Sequence, residues 1–293
     1  MRPRPAEVEE TTVTALENWQ QRVLSCRDRR GEPEEALWQR TAAWYDQWVA
    51  NNDYVEVVLP RLAAYLAPDA RVLEIGPGTG AFTVPLARQV REVVAVEPSH
   101  NMCSALRHNL ARAGMGNVCL IPQRIEEVLD QLPGPFQLAM AAHSLYNVLA
   151  VDAVVARLAQ MAEHTVILIG TGDRTARQQA LRRFASRPPA SPAHFGDLYP
   201  VLLEMGLYAD AEILQTSANY IFDSEEALTD WWARHLHVDS DARAKLHVAL
   251  LAQAERQGSQ VALCDRVRTA LITIHQGRSL FRRPADAPAN DRP

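Results

Sequence analysis

The sequence predicts an α/β protein: an open, doubly wound, mostly parallel sheet, preceded by a helical extension and carrying helical inserts. From Ala70 onward, short apolar runs alternate with amphipathic stretches, as parallel strands joined by crossover helices require. The first run, Arg71–Ile75, leads through Gly76-Pro77-Gly78-Thr79-Gly80 into a helix beginning near Phe82, the strand–turn–helix geometry that holds nucleotide-like ligands. At 293 residues, with 47% hydrophobic and 22% charged, the chain supplies one sizeable core with additions.

Residues 1–68 read as the helical extension. Thr11 or Thr12 caps a helix whose Val13, Leu16, Trp19 and Val23 recur at three- and four-residue spacing, giving one apolar stripe. The charged, glycine- and proline-containing stretch Arg27 to Pro33 interrupts it. A second helix carries Leu37, Trp38, Ala42, Tyr45 and Trp48, and a third carries Val55, Val58, Leu59, Leu62 and Leu66. The aromatics either pack this extension onto the core or, at Trp44-Tyr45-Asp46, close over a ligand. The same helices are the expected surface for a homodimer.

Residues 69–283 form the expected sheet domain. Strand one is Arg71 to Ile75; the helix after the turn holds Phe82, Val84, Leu86 and Ala87, with Pro85 tolerated in its first turn. Strand two, Glu92 to Glu97, ends on a carboxylate placed to accept hydrogen bonds from a ribose diol. Ser99 caps a helix with Met102, Leu106 and Leu110 on one face, terminated by Gly114 and Gly116. Strand three is Val118 to Ile121, and strand four is Phe136 to Ala142. His143-Ser144-Leu145-Tyr146-Asn147 follows at a carboxyl end of the sheet, where ligands of such sheets bind. His143, with an ordinary pKa near neutrality, is a candidate general base or a pocket hydrogen-bonder, and Tyr146 a candidate for orienting an acceptor.

A helix from Ala150 to Met161 and a strand from Thr165 to Ile169 complete the fifth unit. Residues 171–205 are the expected cap. Their arginines (Arg174, Arg177, Arg182, Arg183, Arg187) read either as a solvated helix or as a receptor for an anionic group on a small substrate; His194, Phe195 and Tyr199 are pocket candidates. A helix from Phe195 to Met205 precedes a strand over 209–222. Residues 223–258 read as a helical insert: a capped helix opening at Asp223-Ser224-Glu225-Glu226, then one carrying Leu246, Leu250 and Ala254 and closed by Gly258. Val267 to His275 is the last strand, and the proline-rich tail 284–293 reads as disordered.

Two cofactor classes fit the glycine turn. Gly76, Gly78 and Ala81 satisfy the dinucleotide fingerprint, with Glu97 about 20 residues on. Glu74, however, places a carboxylate where a pyrophosphate would lie, which repels a phosphate and favours a cationic ligand. The run Glu74-Ile75-Gly76-Pro77-Gly78-Thr79-Gly80, with Val96-Glu97-Pro98-Ser99, resembles the class I S-adenosylmethionine-dependent methyltransferases of the small-molecule type.

That resemblance implies a Rossmann-like sheet whose last strand inserts antiparallel between two others. It implies S-adenosylmethionine as cofactor and S-adenosylhomocysteine as product, with transfer of a methyl group to a small molecule. The cofactor residues it implies are Tyr45, Glu74, Gly76, Gly78, Gly80, Glu97, Pro98, Met102, Arg124, Ile125 and His143. Where the family commonly places an acidic residue against adenine, this chain has Gln123-Arg124. The wording from Gly76 to Phe82 is also similar to that of the ribosomal RNA adenine dimethyltransferases, but their Asn/Asp-x-Pro-Tyr/Phe tetrapeptide is missing after strand four. Protein methylation, or a non-catalytic cofactor-binding module acting through a partner, are the alternatives.

The formal net charge is −5, which with the missing tetrapeptide disfavours a nucleic-acid partner. Cys26, Cys103, Cys119 and Cys264 are widely separated, so neither a zinc site nor a disulfide framework is expected, and no metal. No run approaches the roughly 18 apolar residues that span a bilayer, so no membrane partner is expected. The polar N-terminus lacks a signal peptide's apolar centre, which points to the cytoplasm.

Overall fold

The structure is a computed structural model describing residues 13–30, 33–187 and 191–277. The Thr11 or Thr12 cap, Pro188, Pro189 and the tail from residue 284 lie outside the described residues. Three helices precede the sheet: α1 (Ala15–Arg30), α2 (Glu34–Ala50) and α3 (Tyr54–Leu62). Trp19 and Val23 of the α1 stripe are fully buried, and Trp19 Nε1 donates to the Val148 carbonyl at 2.7 Å, fastening α1 to the core. Val13 precedes the helix and is 47% exposed. α1 continues through the basic run to Arg30, with the Arg27 guanidinium donating to the Asn147 carbonyl.

The turn between α2 and α3 is fixed by side chains. Asp53 Oδ1 accepts from the Ser217 amide and hydroxyl, and the Ser217 hydroxyl accepts from the Asp53 amide. Asn52 and Asn219 exchange two further bonds, and Asn219 Nδ2 donates to the Asn51 carbonyl.

The central elements are β1 (Arg71–Ile75), α4 (Thr83–Ala87), β2 (Glu92–Val96), α5 (His100–Ala113), β3 (Val118–Ile121), α6 (Ile125–Val128), β4 (Phe136–Ala142), α7 (Val151–Met161) and β5 (Ala162–Gly170). After them come α8 (Ala176–Arg182), α9 (Phe195–Glu204), β6 (Asp210–Ser217), β7 (Tyr220–Phe222), α10 (Glu225–Leu236), α11 (Ser240–Leu251), β8 (Glu255–Gln257), β9 (Gln260–Leu263) and β10 (Arg266–His275). The main sheet runs β3-β2-β1-β4-β5-β10-β6. Its first five strands are parallel, and β10 lies antiparallel between β5 and β6. This is the doubly wound, Rossmann-like sheet with an antiparallel last strand that the sequence predicts. β1 and β4 are buried along almost their whole length, as interior parallel strands covered on both faces must be.

Two expected elements differ. The single strand over 209–222 is broken at Ala218-Asn219, because Ala218 N bonds to the Asp265 carbonyl and Asn219 turns to the α2–α3 connection. β7 thereby leaves the main sheet for a second, three-stranded one, ordered β7-β9-β8. The helix expected to close at Gly258 ends at Leu251, and Gly258, at φ +62°, instead turns the β8–β9 hairpin. Gly258-Ser259 is a hairpin dipeptide. The region 223–258 therefore contains strands as well as helices, and packs around Leu228, Trp232, Leu236, Leu246 and Leu250.

Candidate functional site

The strand-to-helix turn after β1 requires glycine for two reasons. Gly76, Gly78 and Gly80 have φ values of +66°, +58° and +101°, a region that side chains disfavour. A Cβ on Gly76 would lie 2.4 Å from Ser144 Cβ, and one on Gly80 would lie 2.6 Å from Leu106 Cδ1. The backbone is thus pressed against β4's exit on one side and α5 on the other. At Gly78 the space opens instead onto Tyr45, whose Cε1 is 4.0 Å from the position of a Cβ. The Gly78 amide donates to Glu97 Oε2 at 3.1 Å and the Ser99 amide to Oε1 at 2.9 Å, so the carboxylate at the end of β2 is held by both flanking turns.

Glu74 is buried beneath this turn. Burial pushes its carboxyl pKa up to about 7, against the hydrogen bond donated by Thr83 Oγ1 at 2.7 Å and with a further push from Glu97. The surrounding side chains are aromatic. Tyr45 stacks on Trp48 at 5.8 Å, and burial, with the charges of Glu74 and Asp46, raises its phenol to about 12. Tyr54 packs its ring at 5.2 Å from Phe82 and 5.3 Å from His143. Three buried polar groups here have no partner among the described residues: Tyr54 Oη, Ser144 Oγ and Trp48 Nε1. Buried donors in folded proteins are normally satisfied, so unmet groups beside a glycine turn fit a polar ligand.

His143 adopts φ +53° immediately after β4. Its Nδ1 lies 2.5 Å from Tyr146 Oη, which also accepts from the Gly170 amide at 3.0 Å. The direction of donation between His143 Nδ1 and Tyr146 Oη follows the imidazole tautomer. Burial lowers the His143 pKa to about 4, and burial raises Tyr146 to about 12.

On the outer side of Glu97, a cavity of about 250 Å³ is lined by Glu34, Trp38, Pro98, Ser99, Gln123 and Arg124. Glu34 accepts from Arg124 at 2.7 Å and Asn147 at 2.8 Å, while Glu35 accepts from Ser99 Oγ and Asn101 Nδ2. Pro98 and Arg124 thus face this cavity. Tyr45, Glu74, the glycines, His143 and Tyr146 surround the turn. Met102 and Ile125 are 3% and 4% exposed; Ile125 packs into the main core, leaving its backbone as the part available to a ligand.

Sequence reasoning missed Tyr54, Ser144, Glu34 and Glu35. Tyr54 falls in helical register with Val58 and Leu62, a spacing that marks it as buried. Phe195 and Tyr199, expected near a pocket, pack against the main core, with Tyr199 Oη donating to the Ala209 carbonyl at 2.7 Å. Among the described residues no group of three or more His, Cys, Asp or Glu side chains is arranged to hold a metal ion, and no helix is long and apolar enough to cross a membrane.

Residues 72–166 match the family described as "Methyltransferase domain". A ribosomal RNA small subunit methyltransferase A from Magnetococcus marinus is 37% identical over 98 residues, 31% of this chain and 34% of that protein. A 23S rRNA (uracil(1939)-C(5))-methyltransferase from Xanthomonas campestris pv. campestris is 50% identical over 50 residues, 17% of this chain and 11% of that protein. The chain therefore spans about a third or less of these relatives' lengths. A Bacillus halodurans C-125 protein assigned as a methyltransferase superposes with a TM-score of 0.52 at 12% identity, over 76% of this chain and 98% of its own, a likeness of fold. These findings bear out the class I S-adenosylmethionine-dependent methyltransferase domain and its cofactor. They overturn the expectation of no nucleic-acid partner, because these curated relatives act on ribosomal RNA. The formal net charge of −5 is a sum over the whole chain and carries no information about a local basic face.

Proposed function

We propose that this chain, built on a class I S-adenosylmethionine-dependent methyltransferase domain, transfers a methyl group from S-adenosylmethionine to a small-molecule acceptor. The observation that carries the reading is Glu74: a buried carboxylate under a glycine turn, walled by Tyr45, Tyr54 and His143, suits a cationic ligand and opposes a pyrophosphate. When bound, the cofactor supplies an activated methyl carbon that an acceptor lone pair attacks as the carbon–sulfur bond breaks.

The protein's own work is then positioning. Glu74 receives the methionine ammonium, while Tyr54 Oη, Ser144 Oγ and Trp48 Nε1 meet the cofactor's remaining polar groups. The Glu97 oxygens, each with one backbone bond, retain lone pairs for the ribose hydroxyls. Pro98, Met102, Arg124 and the backbone at Ile125 would hold the adenine. α2 acts as the lid, with Tyr45 excluding water above Gly78. His143, neutral and locked by Tyr146, orients an acceptor or cofactor group by hydrogen bonding without taking a proton.

A second reading, methylation of an RNA base, is favoured by the ribosomal RNA methyltransferases among the relatives. Calorimetry with S-adenosylhomocysteine tests the cofactor: tight binding, at least tenfold weaker in Glu74→Gln, is expected. Failure to bind it, with binding of a nicotinamide dinucleotide instead, refutes the proposal. Tritiated methyl transfer into a small-metabolite extract, compared with transfer into unmodified ribosomal RNA, separates the two acceptor readings.

A further inference from the structure

Glu35, in the first turn of α2, reaches across to the first turn of α5. Its Oε1 accepts from Asn101 Nδ2 at 2.7 Å, from the Ser99 hydroxyl at 3.2 Å and from the Asn101 amide at 3.3 Å. The opening N–H groups of a helix have no partner within it, and together with the helix dipole they form a ready receptor for an anion. In α5, a helix of 14 residues, a carboxylate from another helix takes that place.

Glu35 also lines the cavity of about 250 Å³ beside Glu97, together with Trp38, Gln123 and Arg124. That volume falls short of the roughly 300 Å³ at which pockets for drug-sized ligands begin, so it suits a base with its sugar and not a dinucleotide. Trp38 is half-buried, and its Nε1 donates to Glu34 Oε1 at 3.3 Å, which fixes the indole in the cavity wall. An indole so placed offers a flat apolar surface to a planar ring. The charge around the cavity is negative. Glu34, Glu35 and Glu127 line it, and Arg124, the one cation among the described residues that line it, is engaged by Glu34 at 2.7 Å. Burial raises the Glu97 carboxyl pKa, the Ser99 and Gly78 amides lower it, and the charges of Glu35 and Glu34 raise it again, so these carboxylates share one field.

We infer that α2 completes a pocket for an adenine nucleoside, in which Trp38 lies along the base and Glu35 bars a phosphate from the ribose. The Glu97 carboxylate marks the sugar's place, and a phosphate on that sugar would meet the Glu35 carboxylate instead of the open N–H groups of α5. Dinucleotide-binding sheets that accept a ribose phosphate supply an arginine near the sugar; this chain supplies an acid. The inference rests on the methyl-transfer reading for the choice of adenine, and not for the stacking wall or the exclusion of phosphate.

The test is calorimetry on the full chain with adenosine, adenosine 2′-monophosphate and adenosine 3′-monophosphate. Adenosine should bind at least about tenfold more tightly than either phosphate, and Glu35→Ala should shrink that gap to about threefold or less. Trp38→Ala should weaken adenosine at least about fivefold, the low end of what stacking on one ring contributes, and Trp38→Phe should restore most of the loss. Equal binding of adenosine and its phosphates to the wild-type chain overturns the inference. So does an undiminished gap in Glu35→Ala, an unchanged adenosine affinity in Trp38→Ala, or no binding of adenosine at all. S-adenosylhomocysteine, titrated separately, reports on methyl transfer. If it binds no more tightly than adenosine, that reading fails and the inference stands; if it binds tightly while neither substitution alters the adenosine results, the inference fails and that reading stands.

Discussion

Replacing Glu74 by Gln should stabilise the ligand-free protein while weakening cofactor binding. The folded-state pKa of Glu74 is about 7 against an ordinary 4.5, so between those values the native protein holds a proton that the unfolded chain has released. Stability is therefore fully present below pH 4.5 and is lost as pH rises through 7. At about 1.4 kcal/mol per pH unit, the cumulative loss is roughly 1 kcal/mol at pH 5 and roughly 3 kcal/mol at pH 8. Gln cannot ionise, and its amide oxygen still accepts the bond from Thr83 Oγ1. Urea unfolding of both proteins should accordingly give curves that nearly coincide at pH 4.5 and diverge in favour of Glu74→Gln by pH 8. Calorimetry at pH 8 should show the opposite order for S-adenosylhomocysteine. A variant less stable than wild type at pH 8, or a difference that ignores pH, would refute the burial argument.

Other perturbations follow from the same geometry. Gly76→Ala forces a side chain into φ +66° and 2.4 Å from Ser144 Cβ, so a thermal melt should show a loss of about 2–4 kcal/mol. His143, with burial holding it near pKa 4, should show no titration between pH 5.5 and 8 by NMR of its ring protons. The same depressed pKa makes stability fall as pH drops from 6.5 toward 4, a loss absent from His143→Gln. Tyr146→Phe strands the Gly170 amide and His143 Nδ1 and should cost about 1–3 kcal/mol in urea unfolding.

The glycine turn was legible because everything it needs is local: an apolar strand, glycines that permit φ values above zero, and a carboxylate two residues before the first of them. The antiparallel β10 was reachable through the resemblance, since its burial pattern alone does not state its direction. Ser144 was not legible as the neighbour of Gly76, because their contact exists only once β1 and β4 lie side by side. Arg177 is visible in the sequence only as one member of a basic run; that its Nε and Nη1 are buried without an acceptor among the described residues is a property of packing. The β8–β9 hairpin is not legible in the sequence because Leu246 and Leu250 carry a helical period toward it, which gives Gly258 the look of a helix end. The expectation of no nucleic-acid partner rested on a total charge and a missing tetrapeptide, and neither describes the charge of one surface.

In the lid role proposed for α2, the bonds joining Asn51, Asn52 and Asp53 to Ser217 and Asn219 would hang it as a door on one side. Its hinge edge is anchored to the backbone of the β6–β7 connection, whereas its free edge is latched by Glu34 to Arg124 and by Glu35 to Ser99 and Asn101. Glu74 is 2% exposed with the door shut, so traffic to it passes by the latch and not by the hinge. The Glu34–Arg124 latch is partly open to water and is weakened by salt. Ionic strength should therefore govern how fast product leaves, independently of how tightly it is held.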